Sequence, residues 1–174
     1  MDASFELHAG GFILRRWRRD DLPALVRHAD DAEVARRVSD RFPHPYTQAD
    51  GIAFLEGRVV DLSQPVLAIE IDGQACGGIG ARVGAGERLH SAELGYWLAR
   101  AHWGRGLMTQ AVATYLPWVI AHYQLMRVQA FTLDFNAASA RVLRKSGFEE
   151  EGVERRAVIK HGQLHDLRRF ALLP

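Results

Sequence analysis

Glu93-Leu94-Gly95-Tyr96-Trp97-Leu98, then Trp103-Gly104-Arg105-Gly106-Leu107-Met108-Thr109, is the stretch on which the fold turns. The first half sits inside Ser91 to Ala99, a run with strand character. The second half opens a helix whose apolar stripe is Leu107, Met108, Ala111, Val112, Tyr115, Leu116, Val119 and Ile120, reaching about His122. Pro117 lies inside that stripe and is expected to kink the helix. A helix N-terminus carries unpaired N–H groups and the positive end of the dipole, which suits a phosphate. Gly104 and Gly106 lack a Cβ, so an anion could approach the backbone closely there. The same glycines also read simply as turn residues, and the pattern alone leaves both readings open. Competing phosphate motifs are absent: no G-x-x-x-x-G-K-[ST] occurs, and Gly78-Ile79-Gly80 lacks the third glycine of a dinucleotide fingerprint.

Upstream, Phe12-Ile13-Leu14-Arg15 reads as the first strand, followed by a helix opening at Asp20-Asp21 and carrying Leu22, Leu25, Val26 and Ala29 at helical spacing. A second short helix covers Ala32 to Val38. The prolines bar Arg41-Phe42-Pro43-His44-Pro45-Tyr46 from helix. Thr47 with Asp50 forms a capping box for a helix through Ile52, Phe54, Leu55 and Val59. Val66 to Ile71 and Gln74 to Val83 read as strands joined by an Asp72-Gly73 hairpin turn, and Gly84 to Glu87 as the next turn. Downstream come a strand at Val128 to Leu133, a helix at Ala137 to Lys145 closed by Gly147, and strands near Val153–Ile159 and Leu164–Leu172. A helical crossover from the Ser91 strand to the Val128 strand makes those two parallel neighbours. Strands interleaved with helices imply an α/β or α+β domain with a mixed sheet.

Composition bounds the function. One domain with a full core fits 174 residues. Lys plus Arg number 22 against 21 acidic residues, a net +1 that argues against a dedicated nucleic-acid or membrane-surface protein. Cys76 is the only cysteine, so neither an intrachain disulfide nor a cysteine zinc site is expected, and a reducing cytoplasm fits. No apolar run approaches a membrane span, and Met1-Asp2-Ala3-Ser4-Phe5-Glu6 lacks a basic signal-peptide start.

The two quoted segments resemble the acetyl-coenzyme A motif of the GNAT acyltransferase superfamily, and Asn136-Ala137-Ala138-Ser139 through Lys145-Ser146-Gly147-Phe148 resembles its downstream signature. Leu14-Arg15, Pro43-His44-Pro45-Tyr46-Thr47 and His165-Asp166 are similar to the branch that acetylates ribosomal-protein N-termini. The resemblance implies a single GNAT-like domain over residues 1–174. It implies a mixed sheet of about seven strands with a splayed parallel pair, flanked by helices. In the motif (Gln/Arg)-x-x-Gly-x-(Gly/Ala), Trp103 and Met108 depart from the first and last positions. The implied diphosphate cradle is the backbone N–H groups of Gly104, Arg105, Gly106, Leu107, Met108 and Thr109, with Trp103, at the motif's first position, a further cofactor-binding residue. Trp97 and Leu98 lie along the pantetheine arm, and Asn136 contacts the cofactor. Glu93 matches a strand carboxylate that serves some members as base, and its alternative is a purely structural role. Ser139 matches a serine offered to the thiol in place of the usual tyrosine, whose position here is Leu143. Its alternative is a hydroxyl bonded to its own helix. Val158 stands where some members of the branch carry a second carboxylate, which puts direct transfer of their mechanism in doubt.

The implied chemistry is acetyl transfer from acetyl-CoA, as cosubstrate, directly to an amine, with no metal. An α-amine titrates near 7.7–8.0 and a lysine near 10.4, so an α-amine needs far less help from a base. A protein or peptide N-terminus is therefore the expected acceptor. The alternatives are a small-molecule amine (an aminoglycoside, a polyamine or an amino acid) and a non-catalytic acyl-CoA-binding module. Monomer and homodimer both remain open. His161 and His165 flank a turn and do not read as a metal pair, Cys76 reads as core, and Asp166 as a strand-pairing or ion-pair residue. The Arg15-Arg16, Arg18-Arg19, Arg155-Arg156 and Arg168-Arg169 pairs read as solvated faces, with contact of one arginine to the adenosine 3′-phosphate as the alternative.

Overall fold

The computed structural model describes residues 5–174, so part of the N-terminal segment tested for a signal peptide lies outside the described residues. Among the described residues eight strands form one sheet, one more than the sequence reading gave. The additional strand is β1 (Glu6–Ala9), which pairs antiparallel with β2 (Phe12–Arg16) through a turn in which Gly11 takes φ +94°. Its short apolar-poor sequence gave no periodic signal, and only pairing with β2 makes it a strand.

The order is β1-β2-β3-β4-β5-β6-β8-β7, with β3 at Val66–Ile71, β4 at Gln74–Val83, β5 at Ser91–Leu98 and β6 at Arg127–Leu133. The final hairpin is β7 (Glu149–Lys160) and β8 (Gln163–Leu172), with β7 starting four residues before the expected Val153. Asp72 and Gly73 both take positive φ, 49° and 76°, as a tight two-residue hairpin turn requires. Bonds from Gly84 N–H to Ser91 O (2.9 Å) and from Ala99 N–H to Cys76 O (2.7 Å) bracket the β4–β5 pairing. The parallel pair is short. β5 and β6 are in register only over Ser91↔Arg127, Ala92↔Val128 and Glu93↔Gln129.

Five helices accompany the strands: α1 (Leu22–Ala29), α2 (Ala32–Ala35), α3 (Gln48–Leu55), α4 (Leu107–Tyr123) and α5 (Ala137–Lys145). α2 and α3 end earlier than expected. The Thr47–Asp50 capping box forms in both directions, with Asp50 Oδ2 accepting the Thr47 N–H at 2.8 Å and Thr47 Oγ1 accepting the Asp50 N–H at 3.3 Å. α4 remains helical through Pro117, an exposed position.

The chain divides into two compact units: residues up to Gly80 with Tyr96–Tyr115, and Ala81–Gly95 with Leu116–Pro174. In the first, Leu25, Ala29 and the buried Tyr46 form a core flanked by Trp17, Phe42, Phe54 and Trp97. Burial, with Asp50 nearby, pushes the Tyr46 phenol up to about 12, so it stays neutral. Arg15 is 3% exposed, a correction to its reading as a solvated residue. Its guanidinium donates to both Asp21 oxygens at 2.8 and 2.6 Å and to Glu70 at 2.5 Å. Burial works against its charge, but donation to the two carboxylates outweighs that and raises its pKa. In the second unit Val128, Ala130, Phe170, Ala171, Ala140 and Leu143 are buried.

Candidate active site

The residues singled out in the sequence fall into two groups, one in each unit. In the first unit, β5 ends in Trp97 and Leu98, beyond the last residue that pairs with β6. The half-buried Trp97 indole lies 5.1 Å from the Phe42 ring. Room for it comes from Gly78 on β4, where a Cβ would sit 2.9 Å from Trp97 Nε1 and 3.2 Å from Trp17 Cζ2. The first is closer than a Cβ comes to its neighbours, and the second would require the Trp17 ring to give way by a few tenths of an ångström. Gly78 is thus a packing requirement that its Gly-x-Gly context did not reveal.

A 3-10 turn over Arg100–His102 leads to Trp103, whose indole N–H donates to the Leu98 carbonyl at 2.7 Å. The Arg37 guanidinium stacks 5.1 Å from the Trp103 ring. Trp103, a departure from the family motif, thereby ties the loop back to the strand end. Gly104 and Gly106 both take φ +74°, which costs an L side chain strain, and no protein atom lies within 4 Å of a Cβ at either. The first intrahelical bond of α4 is Gln110 N–H to Gly106 O, 3.1 Å, so the Leu107, Met108 and Thr109 N–H groups precede the helix ladder. Exposed glycines over open space, followed at once by a helix N-terminus, fit a diphosphate. Arg105 is exposed, with Nη1 3.4 Å from His102 Nδ1. Burial, then the Arg105 charge, lowers the His102 pKa.

In the second unit Asn136 is 8% exposed and caps α5, its Oδ1 accepting the Ser139 N–H at 3.2 Å. The cofactor-contact residue implied by resemblance is therefore also an N-cap. Ser139 sits half-buried in the first turn. Glu93 is half-exposed, and its Oε2 accepts from Arg82 at 2.7 Å. Leu143 is 1% exposed and belongs to the core. Asp166 takes a strand-pairing role: its Oδ1 accepts the Arg156 N–H at 2.7 Å. Cys76 is 3% exposed, in the core of the first unit, with Sγ 3.6 Å from His28 Nε2. Among the described residues no group of three or more His, Cys, Asp or Glu is arranged to hold a metal ion. Among the described residues no helix is long and apolar enough to cross a membrane.

Sequence reasoning missed Asp134. It lies just past the end of β6, where its Oδ1 meets His165 Nδ1 at 3.1 Å and its Oδ2 accepts the Asp166 N–H at 3.3 Å. Asp134 stands two residues before Asn136, and only the β6–β8 pairing carries His165 to it. No spacing in the sequence signals that meeting.

The acetyltransferase (GNAT) domain model matches residues 12–149. Probable N-acetyltransferase YjcK of Bacillus subtilis is 38% identical over 85 residues, 49% of this chain and 47% of that protein. "Putative ribosomal N-acetyltransferase YdaF" of Bacillus subtilis is 31% identical over 113 residues, 65% of this chain and 61% of the other. In each case the matched stretch is under two thirds of the relative's length. The solved structure of Mycobacterium smegmatis RimJ in complex with CoA-disulfide superposes with a TM-score of 0.80 at 28% identity, over 93% of this chain and 81% of that one.

Proposed function

The chain belongs to the acetyltransferase (GNAT) family, and on that premise we propose that it moves acetyl from acetyl-CoA directly to an amine, its acceptor a protein or peptide N-terminal α-amine. One observation carries the cofactor half of this reading. Two glycines at φ +74° face open space immediately before the N-terminus of α4, which a diphosphate would fill. In this reading the backbone of Gly104–Thr109 holds the diphosphate, Trp97 and Leu98 flank the pantetheine arm, and Trp103 braces the loop. The RimJ structure with its bound CoA-disulfide supports the same cosubstrate. The YdaF likeness favours the ribosomal-protein branch, and the low proton affinity of an α-amine favours an N-terminal acceptor.

The amine sheds a proton before its nitrogen attacks the thioester carbonyl, and the C–S bond breaks as the thiolate gains one. Glu93 and Ser139 are carried forward as a proton acceptor and as the hydroxyl that donates to the sulfur. Arg82 donates to Glu93 Oε2, a contact that competes with proton uptake at that oxygen. All 174 residues are taken as one acetyltransferase domain, acting in the cytoplasm with Cys76 as a free thiol.

Thermal unfolding with acetyl-CoA, CoA and ATP at matched concentrations tests the cofactor. Ligand at a hundred times its Kd stabilises by about 2.7 kcal/mol, a rise of roughly 5–11 °C at this size. A rise with both CoA species and none with ATP is expected; no rise with either in a folded sample rejects the cradle. Peptides with free Ala, Ser, Thr and Met N-termini, run beside spermidine, kanamycin and free amino acids, test the acceptor. Acetylation confined to the small amines rejects the N-terminal reading. Binding without acetylation of any amine makes the chain an acyl-CoA-binding module.

A further inference from the structure

The Asp134–His165 pair has the geometry of an oriented base. The Asp134 carboxylate takes the His165 Nδ1–H at 3.1 Å, and the imidazole rests against Phe135 with ring centres 4.8 Å apart. Both contacts fix the ring plane. A carboxylate on Nδ1 selects the tautomer whose Nε2 carries the lone pair. The carboxylate is itself held. Burial disfavours its charge, but donation from the Asp166 and Phe135 N–H groups and from His165 prevails and keeps its pKa below the usual carboxylate value.

Position gives the pair its meaning. β5 and β6 part after Glu93↔Gln129, and Asp134 lies just beyond the carboxyl end of β6. Ligands of α/β sheets bind outside the carboxyl ends of strands that separate. Asn136 and Ser139 begin the very next turn of chain. Glu93 is level with Gln129, five residues short of Asp134, or about 16 Å at roughly 3.3 Å per residue. The groups around His165 leave the proton role to it. Across the β7–β8 ladder its partner is Val158, which holds no proton-accepting atom. On β8 itself, Asp166 is engaged by the Arg156 N–H of β7. From the chain after β6, Asp134 is the charged group that meets the ring.

We propose that His165, oriented by Asp134, is a second proton acceptor of this enzyme, taking the proton that the acceptor ammonium releases at the carboxyl end of β6. This rests on the acetyltransferase reading above. The N–H bond of the ammonium breaks as its proton moves to His165 Nε2. The freed nitrogen pair forms the C–N bond; as the C–S bond of acetyl-CoA breaks, the nitrogen's second surplus proton passes, by way of the Ser139 hydroxyl of the reading above, to the thiolate, so that an amide and the CoA thiol leave. His165 returns its proton to water after release. Asp134 is a positioning residue.

His165→Asn keeps a donor toward Asp134 and removes the Nε2 lone pair. On a peptide that the wild type acetylates, kcat/KM should fall about 10²–10⁴-fold. CoA affinity and the melting midpoint should hold, and the limb of the pH–rate profile that His165 controls should disappear. His165→Gln repeats the test should the first variant melt early. Independently of any acceptor, ring ¹⁵N NMR of the wild type should show the Nδ1–H tautomer, and Asp134→Asn should shift it toward Nε2–H. Wild-type kcat/KM and pH profile in a folded His165 variant, or an Nε2–H tautomer in the wild type, would overturn the proposal. A wild type that acetylates no amine defeats the acceptor reading by itself, and the proposal then stands or falls on the tautomer.

Discussion

The loop from Trp97 to Thr109 and the corner formed by Asp134, Asn136, Ser139 and His165 solve different chemical problems with different material. The loop uses backbone: two glycines at positive φ, helix N–H groups, and a tryptophan tied to the Leu98 carbonyl. An anion is met by donors that the chain possesses everywhere, so the sequence need only supply glycine and a helix start. The corner uses side chains whose proton affinities matter, and these must be brought together from positions 31 residues apart. Backbone chemistry leaves a local trace in sequence, whereas side-chain chemistry leaves one only where the partners happen to be neighbours.

Five substitutions sharpen or break this contrast. The first unit stands on a buried ion cluster, the second on exposed pairs. Asp21→Ala removes the carboxylate that accepts from both Arg15 terminal nitrogens and leaves only Glu70 against the buried charge; it should cost about 3 kcal/mol of unfolding free energy. Glu151→Ala, which opens the exposed pair with Arg127, should leave the unfolding free energy nearly unchanged. Equal losses in urea titrations would erase the distinction. Next, Gly78→Ala forces a Cβ against both indoles and should destabilise by about 1–3 kcal/mol, with a changed tryptophan emission reporting the shift of Trp97.

Third, Gly106→Ala meets no neighbouring atom but pays about 1–2 kcal/mol for its φ. That should weaken CoA binding roughly tenfold if the strain is relieved by moving the loop. Calorimetric titration that finds wild-type affinity would detach this glycine from the cradle. The smallest effect is electrostatic. Asp134 has a folded pKa below the usual 3.8, so its contribution is present above the unfolded value and is lost as pH falls through the folded one. The gap in unfolding free energy between wild type and Asp134→Asn should be widest near pH 7 and close below about pH 4, after the unfolded carboxyl has titrated. A gap independent of pH would mean that the Asp134 charge is not what stabilises the corner.

Much of this was legible in advance. Val66–Ile71, Gln74–Val83 and Ala137–Lys145 form where the alternation, the Asp72-Gly73 turn and the Gly147 stop indicate, because those signals are local. β1 escaped because four mostly exposed residues carry no apolar rhythm and become a strand only against β2. Arg15 was misread for a related reason. A charged pair looks like a surface until Asp21 and Glu70, six and 55 residues away, close around one member of it.

The sequence by itself determined the order of the elements from β2 onward, the glycine loop and its helix, the capping of α3 and the Gly147 stop of α5, and membership of a family. Each of these is set within a few residues by backbone geometry or capping chemistry. Tertiary structure alone decided that β5 parts from β6 after three paired residues, that Gly78 must stay small beneath two indoles, and that Asp134 orients His165. The physical reason is shared. Those outcomes depend on which strands lie side by side, and strand neighbours are chosen by the burial of the whole core rather than by any one segment.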